Sequence, residues 1–430
     1  MKYYEDMIGD FLFNDIGQGG FYTGQLFPIS LYHSKFSFVY DCGTLSDRDK
    51  LNKRIRKFKD SLNNNELDVL FISHIDDDHV NGVPELLDGI TCDRVYMPYL
   101  TPIERLFVAV RHGVRDSANF DNYLDFLKSP HEYLLNSENS NINKIIYITG
   151  NSESSVEPFN NSEKPILLED FAPELLDNLE VDNNASEDFP PKIEFKKGNG
   201  TLLYSRIWEF YLFHEPAELT EIDSFISKIR ELFDLEINES LNKEQLVNIL
   251  DNKKQLKELR DLYKEKFKNL NKACLVVQHK PLSYKNARLF KYQRPWFIKH
   301  YFNCEYSCKR RNSFYSRPNS NNDWGITLLT GDIGLNQVDN SEYIKSHLDK
   351  VIVFQVPHHG SQTGWDDGAK LNLLNNKGKT TSVICFGFGN KYGHPKPKVL
   401  EDLEYENFDI KFCNQYEDFS YSFRIKYYEQ

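Results

Sequence analysis

The sequence predicts an α/β protein, and three observations predict it. Helix-like and strand-like segments alternate along the chain. Residues able to do chemistry recur just beyond strand-like apolar runs, where a sheet scaffold presents its loops. One such run, Leu67-Asp-Val-Leu-Phe-Ile-Ser73, passes into a turn dense in His and Asp and then into a helix-like segment. A chain of 430 residues can form one large domain with insertions, and 31 Phe, 25 Tyr and 4 Trp can fill a sizeable core.

In chain order, Leu12-Phe-Asn-Asp-Ile-Gly-Gln-Gly-Gly-Phe-Tyr22 reads as strand, glycine turn and strand. Phe36-Ser-Phe-Val-Tyr-Asp-Cys-Gly-Thr44 is a further strand. Beyond the turn at 74–79 a helix begins at 83–89, and Asp93-Arg-Val-Tyr-Met-Pro98 is the next strand. From about 100 to 205 the pattern loosens into helical stretches and an Asn/Ser/Glu-rich tract, which reads as a loop or a partly disordered insertion. Trp208–Phe213 is a strand, and 217–270 carries helical periodicity. Ala273–Val277, Gly325–Asp332, Val351–Val356 and Ser382–Gly387 are apolar strands. Three of them lead directly into Asp332, His358-His359 and the segment containing His394, after which a helix spans about 396–406.

Net charge is −12, which argues against a general nucleic-acid coat protein. Its distribution is uneven. Residues 280–318 hold ten Lys/Arg and one acid, Glu305, whereas 151–190 hold eleven Asp/Glu and one Lys. Seven scattered Cys fit a reducing compartment, no apolar run reaches the roughly 18–20 residues of a membrane span, and the N-terminus lacks a signal peptide. The expectation is a soluble, cytoplasmic protein with no membrane partner.

His74, Asp76, Asp78 and His79 put two imidazoles and two carboxylates within six residues. Such a set can hold a pair of divalent cations, or one cation plus a general base.

The order Asp15-Ile-Gly-Gln-Gly19, Asp41-Cys-Gly43, Ser73-His-x-Asp-x-Asp-His79, Thr330-Gly-Asp332, Pro357-His-His-Gly-Ser361 and Tyr392-Gly-His-Pro395 resembles the metallo-β-lactamase superfamily. More narrowly, it is similar to the hydrolase domain of ComEC-type DNA-uptake proteins, in which His-x-His-x-Asp-His becomes His-x-Asp-x-Asp-His. The resemblance implies an αββα sandwich, two mixed sheets flanked by helices, over a single domain at 1–430. Insertions are expected at about 100–266, containing the acidic tract 151–190 and a helical arm at 217–270, and at 280–322, a basic aromatic segment. It implies that His74 and Asp76 hold one metal while Asp78, His79 and His394 hold a second, with Asp332 bridging. His358 or His359 is expected to contact the scissile phosphate or protonate the leaving oxygen, and Asp78 to double as proton acceptor. Asp15 and Asp41 are expected to orient loops. The superfamily's third His to the first metal has no clear counterpart; Asn271, Cys274, His214 and His279 lie nearby in sequence.

Carboxylate oxygen at Asp76 favours Mn²⁺, with Zn²⁺ or Mg²⁺ as alternatives, in a centre of one or two ions. In the basic segment Lys291, Arg294, Trp296, Lys309, Arg310 and Arg311 combine phosphate-binding cations with stacking rings, the chemistry of single-strand binding. The expected function is a metal-dependent phosphodiesterase, a nuclease with DNA favoured. By analogy alone it acts in anti-phage defence with a protein partner docked on the acidic or helical insertion. A phosphodiesterase for small nucleotides and a non-catalytic, metal-stabilised nucleic-acid-binding module are the alternatives.

Overall fold

A computed structural model describes residues 3–28, 35–112, 118–137, 139–151, 174–183, 189–215, 222–233, 241–266, 273–282, 287–292, 325–338, 340–365 and 380–428. It is an α/β sandwich of two mixed sheets with helices outside them. The first sheet holds nine strands in the order β12 (Ala287–Tyr292), β17 (Phe419–Tyr428), β1 (Tyr3–Phe13), β2 (Gly19–Pro28), β3 (Phe36–Thr44), β4 (Glu66–Phe71), β5 (Thr91–Pro98), β6 (Asn141–Asn151) and β8 (Ile193–Gly198). The second holds eight, in the order β16 (Asp409–Cys413), β15 (Thr381–Cys385), β14 (Val351–Gln355), β13 (Ile326–Leu329), β11 (Cys274–Pro281), β10 (Trp208–Glu215), β9 (Gly200–Tyr204) and β7 (Leu175–Asp177). Each sheet is antiparallel at one end and parallel at the other: β3 to β8 run parallel in the first, β13 to β16 in the second.

Strand alternation makes the sandwich. In β3, Phe36, Phe38 and Tyr40 face the second sheet while Val39 faces outward; in β10, Trp208, Phe210 and Leu212 face inward while Tyr211 and Phe213 face out. The inner layer is densely aromatic, with Phe38 edge-on to Phe210 at 4.9 Å. Each fully buried Phe contributes roughly 2–3 kcal/mol of burial. Among the helices over the outer face, α1 (Arg48–Lys59) buries Leu51, Ile55 and Phe58 at i, i+4 and i+7, and Asp47 caps it by accepting from Lys50 N at 2.9 Å.

The stretch 100–266, an insertion on the sequence reading, supplies β6 and β8 to the first sheet and β7, β9 and β10 to the second. Its helices α4 (Pro102–His112), α5 (Ala118–Lys128), α8 (Lys243–Asp251) and α9 (Lys253–Lys266) share the outer core: Leu106, Phe107 and Val110 pack in one cluster with Leu246, Leu256, Leu259 and Tyr263. Most of the acidic tract and all but β12 of the basic segment beyond Leu282 lie outside the described residues. No helix among the described residues is long and apolar enough to cross a membrane.

Candidate metal centre

Parallel strands of both sheets point their C-terminal ends at one place. β4 delivers the turn 74–79, β13 delivers Asp332, and β14 delivers His358 and His359. The sheets are joined there, since the amide of Leu275 donates to the carbonyl of Ser73 at 2.6 Å. The glycine motifs have a steric purpose. A Cβ on Gly20 would stand 2.9 Å from His79 Nδ1, and one on Gly43 would stand 2.7 Å from the backbone of Asp78. Only glycine lets the backbone lie so close against the turn.

Hydrogen bonds behind the rings decide which nitrogen faces the centre. His79 Nδ1 lies 2.7 Å from Asp41 Oδ2, and an ionised carboxylate only accepts, so His79 donates. Ser73 Oγ donates to the same carboxylate oxygen at 2.6 Å, which leaves it to accept from His74 Nδ1 at 2.8 Å. His359 Nδ1 donates to the carbonyl of Cys385 at 2.8 Å. All three rings therefore aim Nε2 inward. None of these Nε2 atoms has a hydrogen-bond partner among the described residues.

Carboxylates face them at the spacing of atoms sharing a cation. His359 Nε2 is 3.4 Å from Asp78 Oδ2, His79 Nε2 is 3.6 Å from Asp332 Oδ1, and His74 Nε2 is 3.6 Å from Asp332 Oδ2 and 3.5 Å from Asp76 Oδ2. Two donors each about 2.1 Å from one ion stand about 3.0–3.4 Å apart, so the set fits a divalent metal with little adjustment. Two groups emerge, His74–His79–Asp332 and Asp78–His79–His359. Burial opposes charge on His79, but Asp41, Asp78 and Asp332 outweigh it and hold the ring up at about 10. Burial and the neighbouring His79 push His74 down. Burial also opposes charge on Asp78, yet His359 and His79 hold it below the usual carboxylate range.

Backbone strain gathers in the same place. Asp41, His358 and His359 sit at φ 59°, 49° and 55°, a left-handed region that bulky residues rarely adopt. The side chains of all three border the centre.

The remaining expected site residues fall as follows. Asp76 occupies the N-cap of α2 (Asp77–Val80), but its side chain makes no cap bond; it pairs instead with Arg111 of α4. His359, rather than His394, stands with Asp78 and His79. His358 Nε2 is 3.7 Å from Asp332 Oδ2 with its side chain 30% exposed, whereas that of His359 is 5% exposed. His394 lies beside His358, ring centroids 5.6 Å apart, and Tyr392 stacks on it. Asp15 anchors α1 through Lys50 at 2.9 Å and through Arg54. Neither candidate third His joins the groups. His279 is buried between the sheets with Nε2 bonded to Tyr22 at 2.8 Å, and His214 donates to the Cys274 carbonyl at 3.2 Å. Cys274 Sγ lies 3.4 Å from the Thr330 carbonyl, and Asn271 is outside the described residues. Lys291 is on edge strand β12; Arg294, Trp296, Lys309, Arg310 and Arg311 lie outside the described residues. Sequence reasoning passed over Arg111, which belongs to no motif, and Tyr123, whose hydroxyl donates to the Ile75 carbonyl at 2.8 Å and pins the turn from α5.

Fold and site together give a sandwich whose sheets meet at one His/Asp centre with the donor set of a divalent-metal site. Residues 29–155 match the metallo-beta-lactamase superfamily, less than a third of the chain. The match includes the turn 74–79 and Arg111 but ends before Asp332, His358, His359 and His394. No curated protein matches the sequence.

Proposed function

We propose that this chain hydrolyses phosphodiester bonds, with DNA as its substrate and Mn²⁺ as its preferred ion. The observation that carries the reading is His358. Its ring borders Asp332 yet is partly exposed, so it can meet a substrate while the buried rings of His79 and His359 would hold the ion. A bound divalent cation supplies Lewis acidity and lowers the pKa of water. His79, His359, Asp78 and Asp332 would hold it, and Asp41 orients His79 from behind. His358 would protonate a leaving alkoxide, with His394 beside it. The neighbouring segment carries Lys391, Lys396 and the exposed ring of Tyr392, which suit a polyanion with stacking bases. By analogy to soluble proteins of this kind, the activity serves antiviral defence with a protein partner.

The test pairs the purified protein with single- and double-stranded DNA, RNA and cyclic dinucleotides, under Mn²⁺, Mg²⁺ or Zn²⁺. Metal-dependent DNA cleavage that disappears in Asp78→Ala and falls about 10²-fold or more in His358→Ala is expected. Turnover that survives Asp78→Ala sinks the mechanism, and cleavage confined to cyclic dinucleotides makes the chain a small-nucleotide phosphodiesterase.

A further inference from the structure

Arg111 stands on the side of the centre formed by His74 and Asp76. It reaches the centre from the last turn of α4, its side chain 24% exposed, and forms an ion pair with Asp76 Oδ1. The same carboxylate places its other oxygen 3.5 Å from His74 Nε2, so Asp76 is shared between the guanidinium and the His74 side of the centre. The charge of Arg111 also acts on Asp332. Helix packing holds it there: Phe107, one turn earlier, stacks edge-on against Tyr263 of α9 at 6.1 Å.

Two further observations point the same way. On the His74 side the only further imidazole near Asp332 Oδ2 among the described residues is the partly exposed His358, at 3.7 Å and in neither ligand group, while His214 and His279 are engaged elsewhere. The other side has a full complement, with Asp78, His79 and His359 gathered and Asp332 Oδ1 3.8 Å from His359 Nε2. Of the carboxylates facing the centre, Asp76 is the one paired with Arg111, which leaves Asp78 and Asp332 facing His79 and His359. A second ion beside His74 would face a fixed guanidinium a few ångströms away, a repulsion that low-dielectric surroundings make severe.

We propose that the centre holds one tightly bound divalent cation, at Asp78, His79, His359 and Asp332, and that Arg111 replaces the second. Arg111 is then a fixed positive charge on the side of the centre where the related two-metal arrangement would use an ion. The inference rests on the metal-dependent reading above, and its test does not require activity. Metal content per folded chain is measured after equilibration with Mn²⁺ and removal of loose ion, alongside the Mn²⁺ EPR spectrum. One ion per chain without Mn–Mn coupling is expected, unchanged in Arg111→Lys and rising toward two with a coupled spectrum in Arg111→Ala. His74→Ala should retain its ion and His79→Ala should lose it, which keeps the claim testable even if Arg111→Ala fails to fold. Two ions in the unaltered protein overturn the proposal while leaving a metal-dependent hydrolase intact, and a count of one in a folded Arg111→Ala overturns the role given to Arg111. No bound ion at all sinks both readings.

Discussion

The two histidines that bracket the metal turn, His74 and His79, are five residues apart and alike in sequence, yet their settings differ. His79 is backed by the buried carboxylate of Asp41 and faces Asp78, His359 and Asp332. His74 is backed by a hydroxyl, Ser73 Oγ, and its nearest carboxylate, Asp76, is tied to Arg111. A carboxylate behind an imidazole raises its basicity and fixes its orientation more firmly than a hydroxyl does. Ligand strength in this turn is therefore set by what stands behind each ring, a property that the spacing of the motif does not carry.

That contrast can be broken or sharpened by substitution. The largest effect belongs to Asp78→Ala, which removes a ligand from the stronger side. Loss of the bound ion and a fall in turnover of about 10³-fold or more are expected, read by metal analysis and rate on the same sample. Next comes Asp41→Asn, which keeps the shape but removes the negative charge behind His79. Metal affinity should weaken about 10- to 100-fold in a chelator competition. His74→Ala should cost only a few-fold in the same assay, and a loss as deep as that of His79→Ala would erase the distinction between the two sides.

A separate effect, on stability rather than metal binding, lies away from both, at Asp68 of β4. Burial raises its carboxyl to about 7, although the Ser37 amide donates to it at 2.6 Å. Its unfolded value is about 3.9. The folded form thus holds the proton more tightly, and the stability this contributes is present below about pH 4 and lost as pH rises through about 7. Asp68→Asn should flatten that slope. Its melting temperature should gain on the parent between pH 5 and pH 8 by an amount worth on the order of 1–2 kcal/mol, after discount for partial exposure.

Much of the fold was legible because strands with buried faces write long apolar runs, and those runs end at the residues that form the centre. Leu67–Ser73, Val351–Val356 and Gly325–Asp332 all announce themselves this way. β6 and β8 to β10 were harder to place, since the loose tract around them hides which sheet they join. The adjacent His358 and His359 carry the same local signal, and only the strained backbone turns one inward and leaves the other at the rim. Arg111 was illegible for a simpler reason. One arginine near the end of an amphipathic helix is ordinary, and its meaning comes from Asp76, 35 residues earlier in the chain.

The centre takes its groups from both sheets, His74, Asp78 and His79 from the first and Asp332 and His359 from the second. A cation held there is a rivet through the sandwich as well as a reagent. Its binding energy adds to the free energy of keeping the two layers closed, by an amount that grows with free ion concentration. Starved of metal, the protein should therefore be a shorter-lived molecule, with layers that part sooner under heat and yield sooner to proteases.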